Sequence, residues 1–304
     1  MNGWTIDEWT FALAIYPAFN AMDRYALFLE LLKNRGFFET ENPFSPLKNY
    51  SNKKIKKLSA KKKASFTYFL KELDIPKEMN NYRLRGISWI YLYDADYPAL
   101  LKEIYCPPLL LFYQGDYSIL QNHLCLGVVG ARLATDYGLK LVDQLIPDLI
   151  HQSKGQIVVV SGLAKGIDRR AHETTMKADG RTIGVIGAGL DCYYPRQNSL
   201  LQKKMMEEEL VLSEYPLGST PRKFHFPERN RIIAGLSRGV LVIEAKQRSG
   251  SLITAYNGLD ENRDIFACPG SLLTDESAGC HKLIQQGAYL TTKSTDILEE
   301  WSLI

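Results

Sequence analysis

From Leu124 onward, short runs that are apolar at every position alternate with segments apolar on one side only. CLGVVG, IVVVSG, TIGVIG, LVLSEYP, GVLVIEA and DIFACPG read as strands, too continuously apolar to have a solvated face. Between them, Asp136 to His151, Ile167 to Ala178, a segment running through Met206, RIIAGL and Leu252 to Asn262 have helical spacing. Strands buried on both faces and separated by helices predict a mainly parallel sheet with helices on either side, a Rossmann-like doubly wound α/β fold. Before it, WIYLYDADYPALL and PPLLLFYQGD join aromatic and apolar residues through proline turns and read as a strap leading into the sheet. The first 80 or so residues have helical texture. EWTFALAIYPAF carries an apolar face interrupted at Pro17, and DRYALFLELLKNRG ends on Gly36, suited to a helix C-cap. Pro43 and Pro46 break the chain before a lysine-rich helix, and Pro76 closes the region. The expected division is a small all-helical domain over 1–82 and an extended Rossmann-type domain over 83–304.

Composition changes this picture little: 45% apolar and 23% charged residues describe an ordinary globular protein. Charge distribution changes it more. Through Arg85 there are 15 Lys/Arg against 9 Asp/Glu, an excess of +6, within a net charge of only +3. Most of the excess is SNKKIKKLSAKKK, Ser51 to Lys63, with seven lysines and no acid. Such a run suits a solvated helix face or a nucleic-acid contact through counterion release. Five cysteines lie in apolar surroundings with no C-x-x-C spacing, so they read as core residues in a reducing compartment, with no zinc site. The N-terminus has no basic leader and no run long enough to span a bilayer, so the expected location is the cytoplasm, without a membrane partner.

The candidate chemistry lies where strands open into turns, because a helix beginning there presents unpaired N–H groups and the positive end of its dipole to anions. Gly130-Ala131-Arg132 places a guanidinium at the first such turn, and its planar fork suits phosphate. Ser161-Gly162-Leu163-Ala164-Lys165-Gly166-Ile167-Asp168 sets a lysine between glycines, with Asp168 able to cap or begin the next helix. G-x-x-x-x-G-K-[ST] is absent, which excludes a P-loop ATPase. His172 reads as a buried histidine rather than a catalytic base. Gly187-Ala188-Gly189 lacks a third glycine and runs into Tyr193-Tyr194-Pro195, so it fails as a dinucleotide site. Arg222-Lys223-Phe224-His225-Phe226 interleaves cations with rings, the mixture a single nucleic-acid strand needs for phosphates and bases. Alternation along this loop would point one phenylalanine inward and leave Phe226 exposed. No cofactor is implied.

Taken together, VVGAR, VSGLAKGID with a following AH, TIGVIGAGLDCYYP, LSEYP, FHFPERNRIIAGLSRGVLVIEA, RSGSLITA and GCHKLIQQGA resemble the DNA-processing protein A (DprA, also called Smf) family over roughly Leu124 to Leu290. The resemblance implies an extended Rossmann fold behind a sterile-alpha-motif-like helical domain. It also implies single-stranded DNA binding without strong sequence preference, loading of the RecA recombinase during natural transformation, a homodimer and no catalytic reaction. Carried onto this sequence, Arg132 and Lys165 are the expected phosphate contacts and Lys223 and Phe226 line the DNA pocket. The segment at Ser161 and Gly162, with Gly250 and Ser251, offers backbone or hydroxyl donors. Arg229 and Arg231 join the same set, at least one of them buttressing the pocket through a carboxylate such as Glu214 or Glu244. The segment GCHKLIQQGAYL is the expected dimer helix, with Ile284, Leu290 and His281 toward the partner, although many members have Asn in place of His281. Many members also append a winged helix, which is not expected in a sequence whose last residue is Ile304. The alternative is a nucleotide enzyme resembling the phosphoribohydrolases. Their P-G-G-x-G-T-x-x-E element corresponds to RSGSLITA here, without the paired glycines or the acid.

Overall fold

The computed structural model describes residues 4–33, 58–121 and 123–304. Among the described residues, nine strands form one sheet in the order β1-β2-β6-β5-β4-β3-β7-β8-β9. They are β1 (Ser88–Tyr91), β2 (Leu110–Gly115), β3 (Leu124–Val129), β4 (Ile157–Ser161), β5 (Thr182–Ile186), β6 (Leu210–Ser213), β7 (Gly239–Val242), β8 (Asp264–Ala267) and β9 (Tyr289–Leu290). From β6 across to β9 every pairing is parallel, while β1 pairs β2 and β2 pairs β6 antiparallel. The chain builds outward from β3 in one direction through β4, β5 and β6, then returns to β3's other side with β7 and β8. The order reverses between β3 and β7, and open α/β sheets keep their ligand sites outside the carboxyl ends of the strands.

Strand β4 shows why continuous apolar runs were needed. Its Val158 and Val160 enter one core with Ile183, Val185 and the helix His225–Leu236, while Ile157 and Val159 enter a second with Leu126, Val128 and the helix Asp136–Gln152. Adjacent side chains of a strand point to opposite faces, so a strand buried on both must be apolar throughout. The helices Ile6–Ile15, Ala21–Lys33, Ala60–Glu72 and Ile75–Leu84 precede the sheet. The first and last of these share its first core: the Phe11 ring lies 5.3 Å from Tyr82 and 6.1 Å from Phe112 of β2.

Three local expectations are corrected. The two aromatic segments before Leu124 supply strands β1 and β2 and extend the sheet rather than strap it. Pro76 does not close the helical region; it opens another helix, where its missing N–H costs no hydrogen bond. The segment GCHKLIQQGAYL is not one helix. It is helical over Ala278–Gln285, turns at Gly287 with φ 100°, and ends as the parallel edge strand β9. Gly36, Pro43, Pro46 and Lys53 to Lys57 fall outside the described residues.

His172 is fully buried, with Nδ1 2.7 Å from the Thr182 hydroxyl. That hydroxyl donates to the Val159 carbonyl, so it accepts from an Nδ1–H, and Nε2 has no partner among the described residues. Burial and, secondarily, the charge of Arg229 push its pKa down to about 3. The unfolded chain therefore takes up a proton below about pH 6.5 that the folded chain refuses, and stability falls as pH drops through that window. Between pH 6.5 and 5 the wild type is expected to lose about 2 kcal/mol more than His172→Gln, read from urea unfolding at the two pH values. Equal pH slopes for the two proteins would refute the neutral buried histidine.

Candidate nucleic-acid interface

Beyond the carboxyl ends of β3, β4 and β5 lies a crevice of about 60 Å³, lined among others by Arg132, Gly162, Lys165, Tyr194, Phe226 and Arg229. Its floor is the turn after β4, where the peptide of Gly162 is gripped from both sides. Its N–H donates to the Asp168 carboxylate at 3.2 Å, and its carbonyl accepts from Arg229 Nη1 at 2.6 Å. Asp168 also takes the Ala164 N–H at 3.4 Å, and the same Arg229 nitrogen reaches the Val185 carbonyl of β5. A Cβ at Gly162 would stand 2.5 Å from the Arg229 guanidinium and would displace that grip. Burial pulls the Arg229 pKa down to about 10 against the pull of Asp168, and burial raises Asp168 despite Arg229.

The turn is tied to its neighbours as well. Gly166, at φ 72°, lies so close to the β3 turn that a Cβ would sit 2.3 Å from the Ala131 carbonyl, which accepts the Ile167 N–H. From the other side, the buried Asn198 amide donates to the Leu163 and Ala164 carbonyls at 2.9 and 3.0 Å. The frame thus holds Lys165 and Arg132 outward, both exposed. Arg132 lies over the Phe226 ring at 5.2 Å, and Phe226 meets Tyr194 at 5.6 Å between centroids. Cations and two rings therefore surround one slot, with a buried cation, Arg229, beneath them.

The model of the family described as DNA recombination-mediator protein A matches residues 88–302, about 70% of the chain. The chain belongs to that family. Among relatives, the DNA processing protein DprA of Streptococcus pneumoniae is 51% identical over 208 residues, 68% of this chain and 72% of that protein. That of Bacillus subtilis is 46% identical over 226 residues, 74% and 75% of the two chains. The crystal structure of the S. pneumoniae protein superposes with a TM-score of 0.81 at 39% identity over 98% of both chains. DNA processing protein A of Helicobacter pylori, described for its single-stranded DNA binding mode, superposes at 0.63 with 28% identity, covering 71% of this chain and 95% of that one.

Against the family expectation, the structure brings Arg132, Gly162, Lys165, Phe226 and Arg229 to one crevice. Lys223 is exposed on the loop beside it. Ser161 does not face it: the side chain is fully buried and its hydroxyl donates to the Val128 carbonyl. Gly162 offers no free backbone donor, since Asp168 holds its N–H. Arg229 and Arg231 both turn inward, the latter to Glu214 at 2.5 Å and the Cys106 carbonyl at 2.7 Å. Glu244 instead binds Thr135. Gly250 opens the helix Gly250–Asp260, its carbonyl accepting from Asn230, and the Ser251 hydroxyl is 2.6 Å from that of Ser249. Arg238 lies at the start of β7, on the opposite sheet edge, with its guanidinium over Trp301. Phe224, not Phe226, is the exposed phenylalanine, at 52%. The segment is the start of a helix, where alternation does not apply.

Tyr194, Asn198 and the bridging role of Asp168 were not expected. Tyr194 was legible as an aromatic after a Gly-rich turn. Nothing local marks Asn198, which acts across 35 residues of sequence. Of the expected dimer residues, Leu290 is 52% exposed on the edge strand, Ile284 is half-buried, and the His281 ring nitrogen lies 3.1 Å from the Gly270 carbonyl.

Proposed function

We propose that the crevice binds single-stranded DNA without strong sequence preference. The observation that carries this is the convergence of exposed Arg132 and Lys165 with the rings of Phe226 and Tyr194 on one slot. Arginine and lysine hold phosphates whatever the sequence, and rings stack on any base at about 1–3 kcal/mol each. The binding mode described for the H. pylori relative supports the reading. The proposal extends to non-enzymatic loading of RecA onto the bound strand in natural transformation and to a cytoplasmic homodimer. The exposed edge strand β9 with Leu290, beside Ile284 and His281, supplies the pairing face of that dimer.

The test is fluorescence anisotropy with labelled oligo-dT and its duplex over a salt series. The single strand should bind more tightly, with log K falling by about 0.7 per phosphate contacted for each decade of salt. Tight binding of a mononucleotide with none of a single strand would defeat the proposal. Release of adenine from AMP would replace it with the hydrolase alternative.

A further inference from the structure

A second, larger opening of about 680 Å³ separates the N-terminal helices from the segment Glu214 to His225. Arg24 and Lys62 stand on its helical wall, and Thr220, Arg222 and Phe224 on the other. Arg24 is 5% exposed, and burial outweighs the attraction of Glu214 and Glu228 for its charge. Its nitrogens reach the Glu214 and Tyr16 carbonyls only at 3.5 and 3.4 Å, and Nε has no partner among the described residues. Glu214 and Glu228, which also line the cleft, attract Arg24 but are shared with other groups. Glu214 pairs with Arg231 at 2.5 Å, Asp23 with Lys62 at 2.9 Å, and Glu228 accepts from the Tyr215 hydroxyl at 3.1 Å. Arg222 is exposed and has no ion pair among the described residues. A buried guanidinium with unmet donors beside an open cleft is costly unless an anion completes it.

The loop Ser219 to Phe226 is the wall shared by the two openings. Pro221 and Phe226 line the crevice, while Thr220, Arg222 and Phe224 line the cleft. A strand leaving the crevice over this loop meets Arg222 and Phe224 next. The cleft's other wall belongs to the part of the chain with the basic excess, and the helix Ala60–Glu72 opens on three lysines with no acid in its first turn. Helix electrostatics disfavours cations there, and a bound anion would offset the cost.

We propose that this interdomain cleft is a second subsite for the same single strand, a backbone phosphate lying against Arg24 and Arg222 and a base stacking on Phe224. The inference rests on the crevice binding single-stranded DNA, as proposed above.

The test compares wild type with Arg222→Glu, an exposed change that spares folding, and with Arg222→Lys. Labelled oligo-dT from about 4 to about 16 nucleotides spans the usual site sizes of single-strand binders. The shortest oligonucleotides, which fill the crevice alone, should bind the variant as they bind wild type. The longest should bind Arg222→Glu about tenfold more weakly, as for loss of one charged contact, with a salt slope shallower by about 0.7 per phosphate released. Arg222→Lys should retain the length dependence. Equal affinities of Arg222→Glu and wild type at every length would overturn the subsite while leaving the crevice reading intact. So would Arg222-dependent binding of labelled AMP without any effect on the length series, which would make the cleft a mononucleotide site. Failure of wild type to bind any length would remove the crevice reading and this one with it.

Discussion

Arg132→Ala combined with Lys165→Ala is expected to weaken single-strand binding by a hundredfold or more and to leave folding unchanged. Both side chains are exposed, and no ion pair holds either among the described residues. Their removal strips the slot of its outward cations without opening the core. Each charged hydrogen bond to phosphate is worth about a factor of ten or more, so two account for about a hundredfold. The salt slope should flatten by about 1.4, because two fewer counterions are released. Arg132→Ala also uncovers the Phe226 ring, a small further loss, since exposed cation–π contacts contribute about 0.5–1 kcal/mol. Anisotropy titrations and the thermal midpoint of the double mutant check the prediction together. Wild-type affinity in the double mutant would place DNA elsewhere. A lower thermal midpoint with the loss of binding would mean that these residues hold the fold.

What could be read from the sequence depended on whether the determinant was local. The parallel sheet was legible because strands buried on both faces must be apolar at every position, as β4 is. The crevice was legible because turn glycines with adjacent cations leave their mark within a few residues, as in Gly130-Ala131-Arg132 and Gly162 to Gly166. The edge strands β1 and β9 were not, since strands of four and two residues carry little periodicity and are fixed by their pairing partners. The direction of a polar side chain was harder still. Arg229 and Arg132 look equally fit for phosphate in the sequence. Only the fold puts one beneath the turn, 44 residues of chain away from the Val185 carbonyl it holds, and the other above it. Ser161 was misplaced for the same reason: its hydroxyl partner, Val128, belongs to the neighbouring strand.

The inward arginine should therefore behave as a fold residue. Arg229→Ala removes the donor that satisfies the Gly162 and Val185 carbonyls and leaves Asp168 buried without its opposing charge. Breaking one side of a buried charged arrangement costs about 3–5 kcal/mol, far beyond the effect of an exposed cation. Lysine should not rescue it. Its one nitrogen could replace Nη1 at the two carbonyls but not also Nε, which donates to the Asn230 side chain at 3.2 Å, nor the planar fork that fixes both directions. Asp168→Asn should cost less, because an amide oxygen still accepts the Gly162 and Ala164 N–H groups. The double variant should be less destabilised than the sum of the two singles, since the uncompensated carboxylate is then gone. Urea unfolding of the four proteins measures this coupling. Strict additivity, or a loss below about 1 kcal/mol in Arg229→Ala, would show that Asp168 and Arg229 do not act as one clamp on the turn that carries Lys165.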